Sequence, residues 1–181
     1  MKKRILTLGL IGSLCAIGFT SCNKIKEKLF PAFDADISEV SVNIPVTVAG
    51  AEATSNSTVS FNLDSTIKAN TASAFGVNSV SSVKVKNVQV FLENADDQND
   101  VSNFENVSLK LASNTNSTPI TVLSSDIPDV HVTDINLPVT NSPELKDYLT
   151  GTQLTYLITG QARRSTTKPL SANVIVTLSI K

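Results

Sequence analysis

The chain has no tryptophan, a single histidine, one methionine and two cysteines in 181 residues, and aromatics make up only 5%. Each shortage excludes something. Without tryptophan and with few other rings, an aromatic platform for sugars is poorly supplied. His131 stands alone, and zinc sites draw several histidine or cysteine ligands. Cys15 lies in an apolar N-terminal run, so beyond it only Cys22 is left and no disulfide can form within residues 22–181. No serine sits in a Gly-x-Ser-x-Gly setting, which removes the usual nucleophile elbow. No strongly basic stretch exists in the body of the chain, so a nucleic-acid partner is excluded on charge grounds. Long helical patterns, strand–helix alternation and fixed-period repeats are also missing.

What is present begins at the N-terminus. Lys2, Lys3 and Arg4 precede an apolar run from Ile5 to Phe19, and Phe19-Thr20-Ser21-Cys22 follows. Charge, apolar run, small residues and cysteine in that order make a secretory leader. The run is too short to span a bilayer, which takes about 20 residues. Residues 19–22 resemble the lipobox of bacterial lipoproteins, and the aromatic at Phe19 is similar to lipoproteins of Bacteroidota-type bacteria. That resemblance implies diacylglyceryl transfer to the Cys22 sulfur, cleavage before Cys22, and a membrane-anchored protein of the cell envelope. The leader would be 1–21, a lipidated tether 22–35 and the folded domain 36–181. Lys24, Lys26 and Lys28 line the tether, either as headgroup contacts worth roughly 1 kcal/mol each or as a solvated spacer. Surface-exported lipoproteins of this type carry acidic residues directly after the cysteine. Asn23-Lys24-Ile25-Lys26 departs from that, so the expected location is the outer membrane, facing the periplasm.

The rest alternates with a period of two, the mark of half-buried strands. Val40, Val42, Ile44, Val46 and Val48 alternate with polar residues, and Pro45 marks an edge. Val59, Phe61 and Leu63 read as the next strand. Val83 and Val85 keep one phase and Val88, Val90 and Leu92 the other, which predicts a β-bulge near Lys86-Asn87. Further strands are expected at Val107–Leu111, Ile120–Val122, Val130–Val132, Ile135–Val139, Leu154–Ala162 and Ala172–Ile180. One short helix is predicted near 143–149, with Ser142 as cap, Pro143 first, Glu144 near the N-terminus and Gly151 as stop. The fold class is all-β: an antiparallel two-sheet sandwich of seven to nine strands, immunoglobulin-like or Greek key.

Candidate sites are few. Asp129, His131 and Thr133 would share one face of a strand; a metal half-site or a triad member needs partners that are not nearby in sequence, so His131 reads as a surface histidine. Asp96, Asp97 and Asp100 supply hard oxygen atoms for calcium, but the loop lacks the glycine and glutamate of an EF-hand and reads as solvated. Arg163-Arg164, with Lys168, reads as a polar strand end before Ser165-Thr166-Thr167, or as a contact for an anion or sugar acid. Asp64-Ser65-Thr66 resembles the O-glycosylation motif of exported Bacteroidota proteins, with Ser65 as acceptor. No catalytic set and no cofactor are expected. The expected function is a noncatalytic protein-interaction or structural module with a protein partner in the envelope; the alternative is a carbohydrate- or calcium-binding sandwich.

Overall fold

Strands β1 (Phe33–Ile44), β2 (Glu52–Ser60), β3 (Val83–Leu92), β4 (Asn106–Ser113), β5 (Ile120–Asp126), β6 (Asp134–Pro138), β7 (Gln153–Gln161) and β8 (Leu170–Ile180), with one helix, α1 (Leu63–Asn70), make up the computed structural model, which describes residues 30–181. The leader, Cys22 and most of the tether lie outside the described residues. The last tether residues, Phe33 to Ala35, are already part of β1.

The strands form two antiparallel four-stranded sheets, ordered β1-β8-β3-β6 and β2-β7-β4-β5. Apart from the β4–β5 hairpin, every connection passes from one sheet to the other. This is the eight-strand, double-Greek-key jelly roll, not the seven-strand immunoglobulin order. β8 shows why the sequence folds this way. Its residues alternate strictly, and Leu170, Ala172, Val174, Val176, Leu178 and Ile180 are all buried between the sheets. The bulge expected in β3 is there: the register with β8 slips between Val85 and Asn87, which keeps Val83, Val85, Val88 and Leu92 all facing inward.

Four local readings are corrected, the first being the strand read through Val48: β1 ends at Ile44, and Val46 and Val48 lie on the loop after Pro45. Residues 143–149 form a single 3-10 turn, Lys146–Tyr148, because the capping groups are used elsewhere. Ser142 Oγ accepts from Val85 N–H, and the Glu144 carboxylate accepts from Val83 N–H and Ser82 Oγ–H, so both fasten the start of β3. The α-helix lies instead at Leu63–Asn70, where alternation pointed to a strand. Asn62 caps it by accepting from Ser65 N–H, Lys68 pairs with Asp64 one turn earlier at 2.6 Å, and Leu63 and Ile67 are buried on one face. Residues 130–132, read as a short strand, are loop.

Tyr156 is fully buried in β7, and its hydroxyl is the one buried side-chain polar atom among the described residues with no hydrogen-bond partner. Burial pushes its ionisation far above the usual range. An unmet buried hydroxyl costs about 1–3 kcal/mol. Tyr156→Phe is therefore expected to raise stability by roughly 1 kcal/mol, read as a higher midpoint in thermal or urea unfolding. A lower midpoint would mean that the hydroxyl has a partner.

Candidate functional site at the far pole

The strand directions give the sandwich two poles. β1 starts at Phe33 opposite Ile180 and ends at Ile44 opposite Leu170. Phe30 packs on Phe33 and Phe75 where the chain comes in, with ring centroids 5.9 and 5.4 Å apart. That near pole also holds α1 and the C-terminus, where Lys181 and Ser82 exchange backbone hydrogen bonds. Loops 45–51, 93–105, 127–133 and 162–169 gather at the far pole. Backbone bonds between them, Thr166 N–H to Thr47 O, Val101 N–H to Val132 O and Arg163 N–H to Asn103 O, join the four into one surface.

Asp100 is the centre of this pole and is only 4% exposed. It caps the 3-10 turn Val101–Asn103 in a reciprocal box: its carboxylate accepts from Ser102 N–H, while the Asn103 side chain accepts from Asp100 N–H. Oδ1 also accepts from Ser102 Oγ–H at 2.5 Å, and Oδ2 pairs with His131 Nδ1. Burial pushes the carboxyl upward. The hydrogen bonds from Ser102 and His131 outweigh it, and the net position is below the ordinary 3.8.

The two arginines lie past the last residue of β7 and turn to the same carbonyl, that of Ser102. Arg163 donates to Ser102 O and Ile127 O, and Arg164 donates to Ser102 O and Oγ and to the Asp129 carboxylate, the last at 2.7 Å. The turn Ser165-Thr166-Thr167 acts as a hub. Ser165 Oγ accepts from Ala49 N–H, Thr166 Oγ1 from Thr47 N–H, and Thr167 Oγ1 from the Asn99 side chain.

Several expected sites are redefined by this geometry. His131 is not on a strand face with Asp129 and Thr133; it hangs from a loop, half exposed, and is held by Asp100. Ser102, Asp100 and His131 touch, but the carboxylate lies between the hydroxyl and the ring. A nucleophile relay needs the imidazole in that middle place, so the trio acts as a clamp. Asp96, Asp97 and Asp100 do not converge. Asp96 pairs with Lys168 at 2.6 Å and accepts from Gln98 N–H and Asn99, which hold its carboxyl well below the usual range. Asp97 is exposed, and Asp100 faces His131. Among the described residues no three acidic, histidine or cysteine side chains gather as a metal cage. The loop is also not simply solvated, since Asn99, Asp100, Ser102 and Asn103 are buried. Ser65 is exposed, on the first turn of α1 and not on a loop.

Two hollows mark the pole. A polar depression of roughly 450 Å³ lies between Asp97, Gln98, Asp129, His131 and Arg164. Beneath it, between the sheets, an apolar cavity of about 60 Å³ remains where Ala53, Gly160 and Ala172 leave room beside Phe104 and Ile158. That is well below the ~150 Å³ of a cavity that accepts benzene. The same pole carries exposed apolar side chains. Val46, Val48 and Val130 are 54%, 65% and 60% exposed on these loops, and Phe91, 46% exposed, is at the strand end that leads into them. No other large apolar side chain among the described residues is so exposed.

No protein-family model matches the chain, and no curated protein matches it. Among solved structures, the chain is similar to a chain of the structure of infectious bursal disease virus Gx strain, with 10% identity, a TM-score of 0.33, and coverage of 82% of this chain and 32% of that one. It is also similar to a chain of a nora virus structure, with 11% identity, a TM-score of 0.31, and coverage of 81% of this chain and 60% of that one. The chain thus spans less than two thirds of either neighbour, and neither likeness bears on its function. No helix among the described residues is long and apolar enough to cross a membrane.

Proposed function

We propose that this protein is a lipid-anchored lipoprotein of the bacterial outer membrane, facing the periplasm, whose jelly roll serves as a noncatalytic protein-interaction module. The anchor is Cys22, on the resemblance of residues 1–22 to a lipoprotein leader. The interaction reading is carried by one observation: the four large apolar side chains left exposed among the described residues, Val46, Val48, Phe91 and Val130, all lie on the far-pole loops or at the strand end that leads into them. Single exposed apolar residues are ordinary, but their concentration at one pole marks an interaction surface. A domain tethered through Phe30 at the near pole sets that surface at the end of the domain opposite its own tether. The clamp of Asp100, Ser102, Arg163 and Arg164 keeps the loops in one shape before a partner arrives, which lowers the ordering cost of binding.

The test has two arms. Fatty-acid labelling of the full chain is expected to mark the wild type and leave Cys22→Ser unlabelled; equal labelling removes the anchor. A photo-crosslinking residue at Val48 or Val130 in intact cells is expected to give one adduct of discrete mass, while the same residue at Lys84, exposed on β3 near the opposite pole, gives none. Equal adducts at all three positions remove the far pole as the interaction surface.

A further inference from the structure

Every open sheet has two edges, and an edge strand offers unpaired N–H and C=O groups to any other strand. Four strands are edges here: β1, β6, β2 and β5. Three are blunted. β1 slips register between Ile37 and Val40, carries Asp34, Asp36 and Glu39, and runs into Pro45. β6 is five residues long and ends in Pro138. β5 follows Pro119, and its pairing with β4 slips between Leu109 and Lys110. β2 has none of these devices. Its nine residues pair with β7 in unbroken register, without proline or lysine, and its only charge is Glu52 at the start. Ser55, Ser57 and Val59 alternate with exposed residues yet stay only half-buried, as expected of a strand with no hydrogen-bonded neighbour on that side, where β1 approaches across the corner of the sandwich without pairing.

The sequence of this edge reads the same in both directions. Thr54-Ser55-Asn56-Ser57-Thr58 is a palindrome about Asn56, with small apolar Ala53 and Val59 flanking it. The ladder has the same centre. The Ala162 N–H donates to Ala51 O at one end of the β2–β7 pair and the Phe61 N–H donates to Thr152 O at the other. Antiparallel bonds alternate, so odd-numbered residues of β2 bond to β7. Glu52, Thr54, Asn56, Thr58 and Ser60 then turn their backbone groups to the free edge. In an antiparallel pairing of two copies about Asn56, those same residues meet: Asn56 with Asn56, Thr54 with Thr58, Glu52 with Ser60. Each such pair exchanges two bonds, roughly ten in all. No like charges meet, and Thr–Thr pairs on the outer face are favourable.

The geometry points to a second copy of this chain as the occupant of the β2 edge, in a two-fold dimer whose β2 strands join the two four-stranded sheets into one of eight. The two-fold axis sets the copies side by side with their poles reversed, so the strands lie along the membrane when both are anchored in it. The far-pole loops take no part, and this inference stands independently of their role.

The test is residue-resolved cross-linking of the full chain in cells, read on non-reducing gels. Opposed residues of a bonded pair lie about 5.5 Å apart between Cα atoms, inside the 4.4–6.8 Å that a disulfide spans. Asn56→Cys is expected to give a band at twice the monomer mass, above any in the parent chain. Thr54→Cys alone is expected to give none, because two copies of it lie about 13 Å apart along the strand, and Thr54→Cys with Thr58→Cys restores the band. Asn56→Lys sets two charges together on the axis at an exposed position of β2, and in detergent the folded variant is expected to sediment at half the mass of the wild type. The inference is overturned if Asn56→Cys links no more than Thr54→Cys, if it links instead to a protein of another mass, or if the wild-type chain sediments as a monomer.

Discussion

Deleting Val174–Lys181 is expected to leave a chain that does not fold. β8 lies between β1 and β3, and both lose their hydrogen-bonded partner over most of their length. The deletion also removes Val174, Val176, Leu178 and Ile180, none more than 2% exposed. Each large aliphatic side chain lost from a core costs about 2–5 kcal/mol, and a whole domain is stable by only about 5–15 kcal/mol. Loss of four such side chains together with two ladders exceeds that margin. Circular dichroism should show no cooperative thermal transition for the truncated chain under conditions where the full chain gives one. A transition near that of the full chain would make β8 an appendage, which its central place in the sheet forbids.

The second large effect is expected at Asp100. Asp100→Ala removes the acceptor of the buried Ser102 N–H, half of the capping box and the partner of His131. Hydrogen bonds to a charged group are worth about 1.5–3 kcal/mol, and an orphaned buried donor adds to that cost. A loss of about 3 kcal/mol, or roughly 10 °C in Tm, is expected. Asp97→Ala, three residues earlier and exposed, should change stability by less than about 0.5 kcal/mol. Equal effects in both variants would refute the clamp. The pH dependence has a definite sign. The Asp100 carboxyl lies below its ordinary 3.8 in the folded chain, so the folded state favours the charged form. Its contribution is complete above pH 3.8 and drains away as pH falls through the lower folded value. Glu144 is also depressed, burial opposing and the bonds from Ser82 and Val83 prevailing, and acts in the same direction at the near pole. Unfolding midpoints of the wild type should therefore fall steeply below about pH 4, and Asp100→Ala should lose part of that slope.

The one-dimensional pattern carried β8 and the bulged β3, but it overran β1, whose alternation continues through Val46 and Val48 although the strand ends at Ile44, before Pro45. The alternation from Leu170 to Ile180 and the phase change at Lys86-Asn87 are local facts of the chain, so β8 and the bulge of β3 were legible without a structure. The misreadings occurred where two local signals competed. Phe61 and Leu63 extend the alternation of β2, but Asn62, Asp64 and Lys68 are also a cap and an i,i+4 pair, and the helix prevailed because Leu63 and Ile67 then reach the core together. Ser142-Pro143-Glu144 has the look of a helix start, yet its polar groups are worth more to the unpaired N–H groups of Val83 and Val85.

The far pole could not be read from the sequence, and the reason is distance along the chain. Asp100 is 31 residues from His131, and Ser102 is 62 from Arg164. Only the jelly-roll order brings loops 93–105, 127–133 and 162–169 to one end, and that order follows from which strand edges pair, a choice made by packing over the whole core. Alternation decides which face of a strand is buried; it is silent on which neighbour the strand takes. The period-two pattern alone thus determined a two-sheet all-β protein, while the tertiary pairing decided that a lone histidine, a buried aspartate and two adjacent arginines become one rigid surface.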